Sequence, residues 1–251
     1  MTYTVERFSN RVENYVKYRP SYPRGIIDHL VKNCGLTHES VIADIGCGTG
    51  ISSQLFLENC NPVIGVEPNA AMRDAAVEFL ADFPDFRLVD GTSENTTLEG
   101  ASVDIVAAAQ AFHWFNADKT RSEFHRILKP GGYIVLIWNE RQLTSTPFLI
   151  EYEAFLLKYA EDYSKVRHEN IDAGRLESFF EAPYGSVTLP NFQIFDFEGL
   201  RGRMLSASYM PDESNPVFEA MIEELRMLFA KHAENGRIKV LYDTNLYHSP
   251  I

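Results

Sequence analysis

The stretch VIADIGCGTG, residues 41–50, constrains this chain more than any other. Val41, Ile42 and Ala43 read as a short buried strand ended by Asp44. Gly46, Gly48 and Gly50 follow at alternate positions, and Ile51 to Asn59 has helical spacing, with Ile51, Leu55 and Phe56 apolar on one side. Strand, glycine turn and helix make the first crossover of a doubly wound α/β sheet. Glycines accept positive φ and let a ligand approach with no Cβ in the way. The helix start offers unpaired N–H groups and a positive dipole end to an anion. Asp44 narrows the ligand further. A carboxylate at the end of a buried strand is costly unless a cation meets it, and in a phosphate site it would repel the ligand. Ile51 also stands where the dinucleotide fingerprint needs its last glycine. The pattern therefore implies a nucleoside carrying an amino acid, its ammonium on Asp44 and its carboxylate at the helix start. The plainer alternative is a tight turn in which Asp44 caps local N–H groups.

A length of 251 residues suits one α/β domain with an elaboration, and 45% hydrophobic residues are ample for a core. The net charge of −12 argues against non-specific binding to nucleic acid or to an anionic membrane, which needs a positive field. The N-terminal MTYTVERFSNR has charges and no apolar segment, and no run approaches a membrane span, so neither secretion nor a membrane is expected. Cys34, Cys47 and Cys60 lack metal-ligand spacing. No metal is expected, and reduced thiols point to a cytoplasmic protein.

Phe8, Val12 and Tyr15 recur at helical spacing, giving a short helix from about Val5 to Tyr15. In the YVKYRPSYP that follows, two prolines fix an extended path. Its tyrosines could face a sulfonium-like cation and Arg19 could pair a carboxylate, or the segment is a packed arm with Arg19 in a surface ion pair. Arg24 to Cys34 reads as a helix with Ile26, Ile27, Leu30 and Val31 inward and Gly35 ending it. Pro62 to Glu67 is the second strand, and Glu67 stands where such folds place the acid for ribose hydroxyls. Asn69 caps a helix from Ala70 to Leu80. Phe86 to Val89 is the third strand, followed by Asp90 to Glu94 in the ligand crevice, where Asp90 or Ser93 meets an adenine edge or makes an Asx turn. Val103 to Ala109 is the fourth strand. Asn116 to Leu128 is a helix, and Pro130-Gly131-Gly132 turns into the fifth strand, Tyr133 to Trp138.

VIADIGCGTG, GVEPN, VDGTSENTTL, VDIVAAAQAFHWF and ILKPGGYIVLIW, in this order, resemble the motifs of a class I S-adenosylmethionine-dependent methyltransferase. YVKYRPSYP and AQAFHWF resemble a narrower group, the trans-aconitate methyltransferase-like small-molecule enzymes. The resemblance is close from about Phe8 to Trp138 and looser beyond. It implies a Rossmann-like seven-stranded sheet of order 3-2-1-4-5-7-6 with helices on both faces. It implies S-adenosylmethionine as cofactor, with Gly46, Gly48 and Gly50 passing its methionine moiety and Asp44 holding the ammonium. Glu67 would take the ribose, Pro68 and Met72 would flank the adenine, and Gly91, Thr92 and Ser93 would edge it. Gln110 and Ala111 would border the sulfonium, and Tyr15, Tyr18 and Arg19 would belong to a lid. Asn95 to Leu98 departs from the usual short turn there.

Beyond Trp138, Thr144 to Pro147 reads as a linker. Phe148, Tyr152, Phe155, Leu156 and Tyr159 form an apolar helical stripe, and Gly174 to Phe180 is a short helix. Pro183 to Gly185 and Pro190-Asn191 read as turns, and Phe192 to Phe197 as an imperfect strand. A long helix is marked by Val217, Met221, Leu225 and Leu228, and Ile238 to Leu246 is the last strand. The expected organisation is one domain: a lid at 1–23, a cofactor-binding core at 24–140, a mostly helical substrate cap inserted at 141–215, and a final helix and strand at 216–251. Transfer from a sulfonium needs alignment of a nucleophile and exclusion of water. An ionised carboxylate needs no base. For other acceptors His113 is the candidate base, or else a pocket-wall imidazole. Trp114 and Trp138 are candidate substrate-wall residues or else packing, and Arg201 and Arg203 are candidates for an acidic substrate or else surface charges. The expected activity is methylation of an oxygen of a small molecule, a carboxylate preferred, by a monomer or homodimer without nucleic acid. The alternatives are a cofactor-binding module without turnover and a nicotinamide-dependent oxidoreductase.

Overall fold

The computed structural model describes residues 17–160, 173–207 and 209–251. The expected helix over Val5–Tyr15, and Tyr15 itself, lie outside them. The first half alternates strand and helix: α1 (Gly25–Cys34), β1 (Ile42–Ile45), α2 (Ile51–Leu57), β2 (Val63–Val66), α3 (Ala70–Phe79), β3 (Phe86–Val89), β4 (Val103–Ala109), a 3-10 turn at Phe112–Trp114, α4 (Ala117–Ile127) and β5 (Leu128–Arg141). Then come α5 (Pro147–Tyr159), α6 (Ala173–Phe180), β6 (Gly185–Phe195), α7 (Phe197–Leu205), α8 (Phe218–His232) and β7 (Ile238–Pro250). One sheet runs in the order β3-β2-β1-β4-β5-β7-β6. Its first five strands are parallel, and β7 runs antiparallel between β5 and β6. This is the sheet the sequence predicts.

The central strands are mostly apolar because both faces are covered, and all four residues of β1, Asp44 included, are buried. On one face α1 and α2 pack Ile26, Leu30 and Phe56 against Ile42, Ile105 and Val135. On the other, α4 and α6 bring Phe124 and Phe179 onto Val106, Ile134 and Leu136. A third core joins α5, α7 and α8 to β7 through Tyr152, Met204, Met221, Leu225 and Tyr242. It lies beyond the crevice end of β5, since β7 places Tyr242 opposite Arg141. Each large side chain fully withdrawn from water contributes about 2–3 kcal/mol.

Local signals fix the helix starts. Asn69, Asn116, Thr146 and Asp196 each accept from the N–H three residues on, and Pro147 occupies the first turn of α5. Thr146-Pro147 is therefore a helix start rather than the end of a linker.

Three expectations need correction. Val31 faces solvent, 52% exposed, because α1 turns only a narrow stripe inward. Pro190 and Asn191 make no turn but continue β6, the sheet's edge strand, where a missing N–H costs no ladder bond. Asp196 and Phe197 leave the strand to begin α7, a helix the sequence reading missed. β6, which falls within the cap segment, is part of the main sheet, as the expected strand order requires.

Candidate functional site

The glycine turn sits at the carboxyl end of β1, beside the ends of β2 and β4. Gly46, Gly48 and Gly50 have φ of +68°, +57° and +87°. At Gly46 a Cβ would come within 2.8 Å of the Ala111 Cβ, so glycine lets the turn lie against the end of β4. A Cβ on Gly48 would meet nothing within 4 Å, so the backbone there borders open space. No side chain caps the first turn of α2, whose N–H groups end at this turn.

Asp44 is fully buried. Its Oδ2 accepts from Ser52 Oγ at 2.6 Å and from Ser53 Oγ at 2.7 Å, both in the first turn of α2. Among the described residues Oδ1 is buried with no hydrogen-bond partner, and so is the hydroxyl of Thr49 in the glycine turn. Burial raises the Asp44 carboxyl to about 6, against the pull of the two serine hydroxyls. Orphaned acceptors of this kind cost free energy until a donor reaches them. Asp44 therefore does not cap local N–H groups, as the plainer alternative had it. It grips α2 with one oxygen and holds the other unspent.

Glu67, also buried, spans the turn from the end of β2. Its Oε2 accepts from Gly48 N at 3.0 Å and its Oε1 from Asn69 N at 2.9 Å. Burial raises its pKa, opposed by these two bonds. Each oxygen keeps a second lone pair. Arg73 binds the Glu67 carbonyl at 2.8 Å and pairs with Asp90 at 3.1 Å, so Asp90 is engaged in an exposed ion pair.

Past β2, Pro68 is exposed and Met72 is buried under α3. The loop after β3 is tightly set. A Cβ on Gly91 would lie 2.9 Å from Thr96 O, Thr92 and Asn95 exchange backbone bonds, and Ser93 Oγ accepts from Thr120 at 3.0 Å. The departure at Asn95 to Leu98 is tied to α4. Thr96 donates to Glu123 through N at 2.8 Å and Oγ1 at 2.6 Å, and Arg126 clamps the same carboxylate.

At the end of β4, Gln110 has φ of +54°, rare for a residue with a Cβ. Its N–H binds Ile137 O and its Nε2 binds Asn139 O at 2.8 Å. His113 follows on the 3-10 turn, its ring 4.6 Å from Trp114 and 6.0 Å from Trp138. Burial, aided by Arg175, lowers His113 to about 4. Arg175 of α6 also holds the turn by bonds to the carbonyls of Phe112 and His113. Trp138 is core, whereas Trp114 is 42% exposed.

The strap at residues 17–23 docks on the cap. The Tyr18 ring lies over Gly202 of α7, and Arg19 donates to Ser206 O at 3.1 Å. Tyr18 thus packs against the third core, and Arg19 is bonded beside it. Arg203 and Arg141 line a small cavity there with Tyr152, Tyr209 and Tyr242. Arg141 is paired with Glu153. Among the described residues Arg203 bonds to neutral groups, Tyr242 Oη at 3.2 Å and Ser206 Oγ at 3.4 Å. Arg201 instead turns to surface pairs with Glu198 and Glu213. Ser52, Ser53, Arg141 and Arg175 escaped sequence reasoning, since no motif marks them, and Thr49 lies inside the glycine motif without its hydroxyl being singled out. Among the described residues no cluster of His, Cys, Asp and Glu could hold a metal ion, and no helix is long and apolar enough to cross a membrane.

A family model described as a methyltransferase domain matches residues 43–136. An uncharacterized methyltransferase of Schizosaccharomyces pombe is 31% identical over 232 residues, covering 87% of this chain and 86% of its own. A methyltransferase-like protein of the same yeast is 27% identical over 252 residues, 98% of this chain and 95% of its own. In fold, the chain is similar to a solved structure from Anaeromyxobacter dehalogenans assigned as a type II methyltransferase, with a TM-score of 0.68 at 19% identity over 93% of this chain and 98% of that one.

Proposed function

Since the chain belongs to the class I S-adenosylmethionine-dependent methyltransferases, we propose that it moves the methyl group of that cofactor onto an oxygen, a carboxylate by preference, of a small acidic molecule. The observation that carries the cofactor site is the pair of orphaned buried groups, Asp44 Oδ1 and Thr49 Oγ1, beside an uncapped helix start. An amino acid's ammonium would satisfy Asp44, and its carboxylate would take the free N–H groups at the start of α2. The second lone pairs of Glu67 suit the ribose hydroxyls. Pro68 and Met72 would flank the adenine, with Gly91, Thr92 and Ser93 at its edge, and Gln110 and Ala111 would border the sulfonium. When bound, the cofactor supplies a methyl group already activated by a sulfonium. The protein's own task is then to align the acceptor and keep water out.

The acceptor class rests on Arg203. A guanidinium in a cavity whose partners among the described residues are neutral favours an anion as its ligand, and the nearby Arg141 is already paired with Glu153. His113, held near 4, stays neutral at pH 7 and is a poor proton acceptor. It fits a pocket wall better than a general base, which agrees with an acceptor that is ionised beforehand. The test is incubation of the protein with labelled S-adenosylmethionine and a panel of small carboxylic acids, phenols and amines. The expected product carries a methyl that alkali releases as methanol, the mark of an ester. Transfer only to phenols or amines would overturn the carboxylate reading. Calorimetry without detectable binding of S-adenosylmethionine would overturn the assignment of the site.

A further inference from the structure

Asn139, near the crevice end of β5, is a buried amide for which the chemistry above has no use. Its side chain reaches three separate segments. Nδ2 lies 3.2 Å from Ser21 O and 3.5 Å from Pro20 O in the strap. Oδ1 accepts from Asn191 Nδ2 of β6 at 3.1 Å and from the hydroxyl of Thr244 of β7. Asn191 Nδ2 also reaches Ser21 O at 2.8 Å. A carboxamide has two N–H donors and two acceptor lone pairs, so here all four are used. The main-chain carbonyl of Asn139 meanwhile receives Gln110 Nε2 at 2.8 Å.

Both ends of this network need what Asn139 gives. Between Pro20 and Pro23 the strap cannot be helical and belongs to no strand, and the carbonyls of Pro20 and Ser21 take side-chain donors. Gln110 holds a backbone conformation with φ of +54° that persists only where the surroundings over-determine it. Its two bonds, to Ile137 O and Asn139 O, both come from β5. One residue thus ties the strap and the residue at the end of β4 to the same point of the sheet. Asp offers no donor and Leu offers nothing, so only an amide of this length fills the place.

We propose that Asn139 is a positioning residue, a latch that seats the strap across the crevice end of β5 and registers it with Gln110. This rests on the cofactor-site reading above for its effect on turnover, though not for its effect on the strap. The Asn139→Asp substitution keeps shape and acceptors but turns carboxylate oxygens on the two strap carbonyls. Asn61→Ala serves as the comparison: Asn61 is a fully buried amide bonded to the carbonyls of Thr37 and Ser40, away from the crevice. In the full chain, amide exchange of residues 17–22 in Asn139→Asp should speed up roughly tenfold, as loss of one or two hydrogen bonds dictates. kcat on the best acceptor should fall by more than KM rises. Asn61→Ala should lose stability with strap exchange and kcat unmoved. Unchanged strap exchange in Asn139→Asp, or an equal change in Asn61→Ala, overturns the latch. Failure of the wild type to bind S-adenosylmethionine counts against the cofactor reading alone, because the exchange measurement needs no ligand.

Discussion

At the scale of single residues, the buried carboxyl of Asp44 works against the stability of the folded chain. Its folded value of about 6 lies above the ordinary carboxylate value near 4, so the folded chain keeps a proton that the unfolded chain gives up. The stability tied to this group is therefore full below about pH 4 and is lost as pH rises to about 6. Asn at this position still accepts from Ser52 and Ser53 without a buried charge. Asp44→Asn should stabilise the ligand-free protein at pH 7 by about 1–2 kcal/mol, and the advantage should vanish below about pH 4 in a pH series of melting curves. Calorimetry should find S-adenosylmethionine binding weakened about a hundredfold, the worth of a buried ammonium–carboxylate contact. His113 behaves oppositely. Its folded value near 4 lies below the ordinary imidazole value, so its stability is present above about pH 6.5 and is lost toward pH 4. The pH–rate profile should carry no imidazole inflection between pH 6 and 8, and His113→Gln should keep turnover within about tenfold; a loss near a thousandfold would make His113 a base after all. The residue types at 44 and 67 were legible in the sequence, since each follows a strand at a motif position. Their partners were not. Ser52 and Ser53 meet Asp44 only because strand, turn and helix fold back on one another.

Among the elements, the loop after β3 depends on a helix distant in sequence. Glu123 on α4 takes both donors of Thr96, and Arg126 holds Glu123 well below the usual carboxylate range, at about 2, with Thr96 assisting. That carboxylate stabilises the fold above its ordinary pKa, and the contribution is lost as pH falls toward 2. Glu123→Gln should cost about 1–2 kcal/mol in denaturant unfolding at pH 7, since charge-assisted bonds at a partly exposed site are replaced by neutral ones. The same variant should bind S-adenosylmethionine more weakly by a few-fold through loosening of Gly91 to Ser93, which titration calorimetry would read. Regular elements were the most legible part of the chain. β3 and β4 coincide with the expected strands because apolar runs between turn residues admit little else. The misreadings fall where local pattern and tertiary position disagree. Pro190 speaks for a turn but sits on an open edge that tolerates it, and α7 has too little amphipathic contrast to announce itself.

For the molecule as a whole, the strap makes one unit of the cofactor half and the cap. It leaves α1, crosses the crevice end of β5 at Asn139, and lands on α7, where the Tyr18 ring fills the space left by Gly202. A Cβ at Gly202 would lie 2.1 Å from Tyr18 Cε2, a distance that neither group can share. Ala is nonetheless the better helix former by about 1 kcal/mol, so Gly202→Ala strengthens α7 locally while expelling the ring. These effects act on different parts of the protein. The sheet and the third core hold their apolar contacts without Tyr18, so the melting temperature should move by only a few degrees. The strap, having lost its far anchor, should become a ready substrate for trypsin at Lys17 and Arg24. Turnover should fall about tenfold with cofactor affinity reduced by less, because Tyr18 and Arg19 dock on the cap around α7 rather than at the glycine turn. A Gly202→Ala protein whose trypsin sensitivity and turnover match the wild type would mean that the strap is held by Asn139 and its neighbours alone, and that the cap can be uncoupled from it without cost to the reaction.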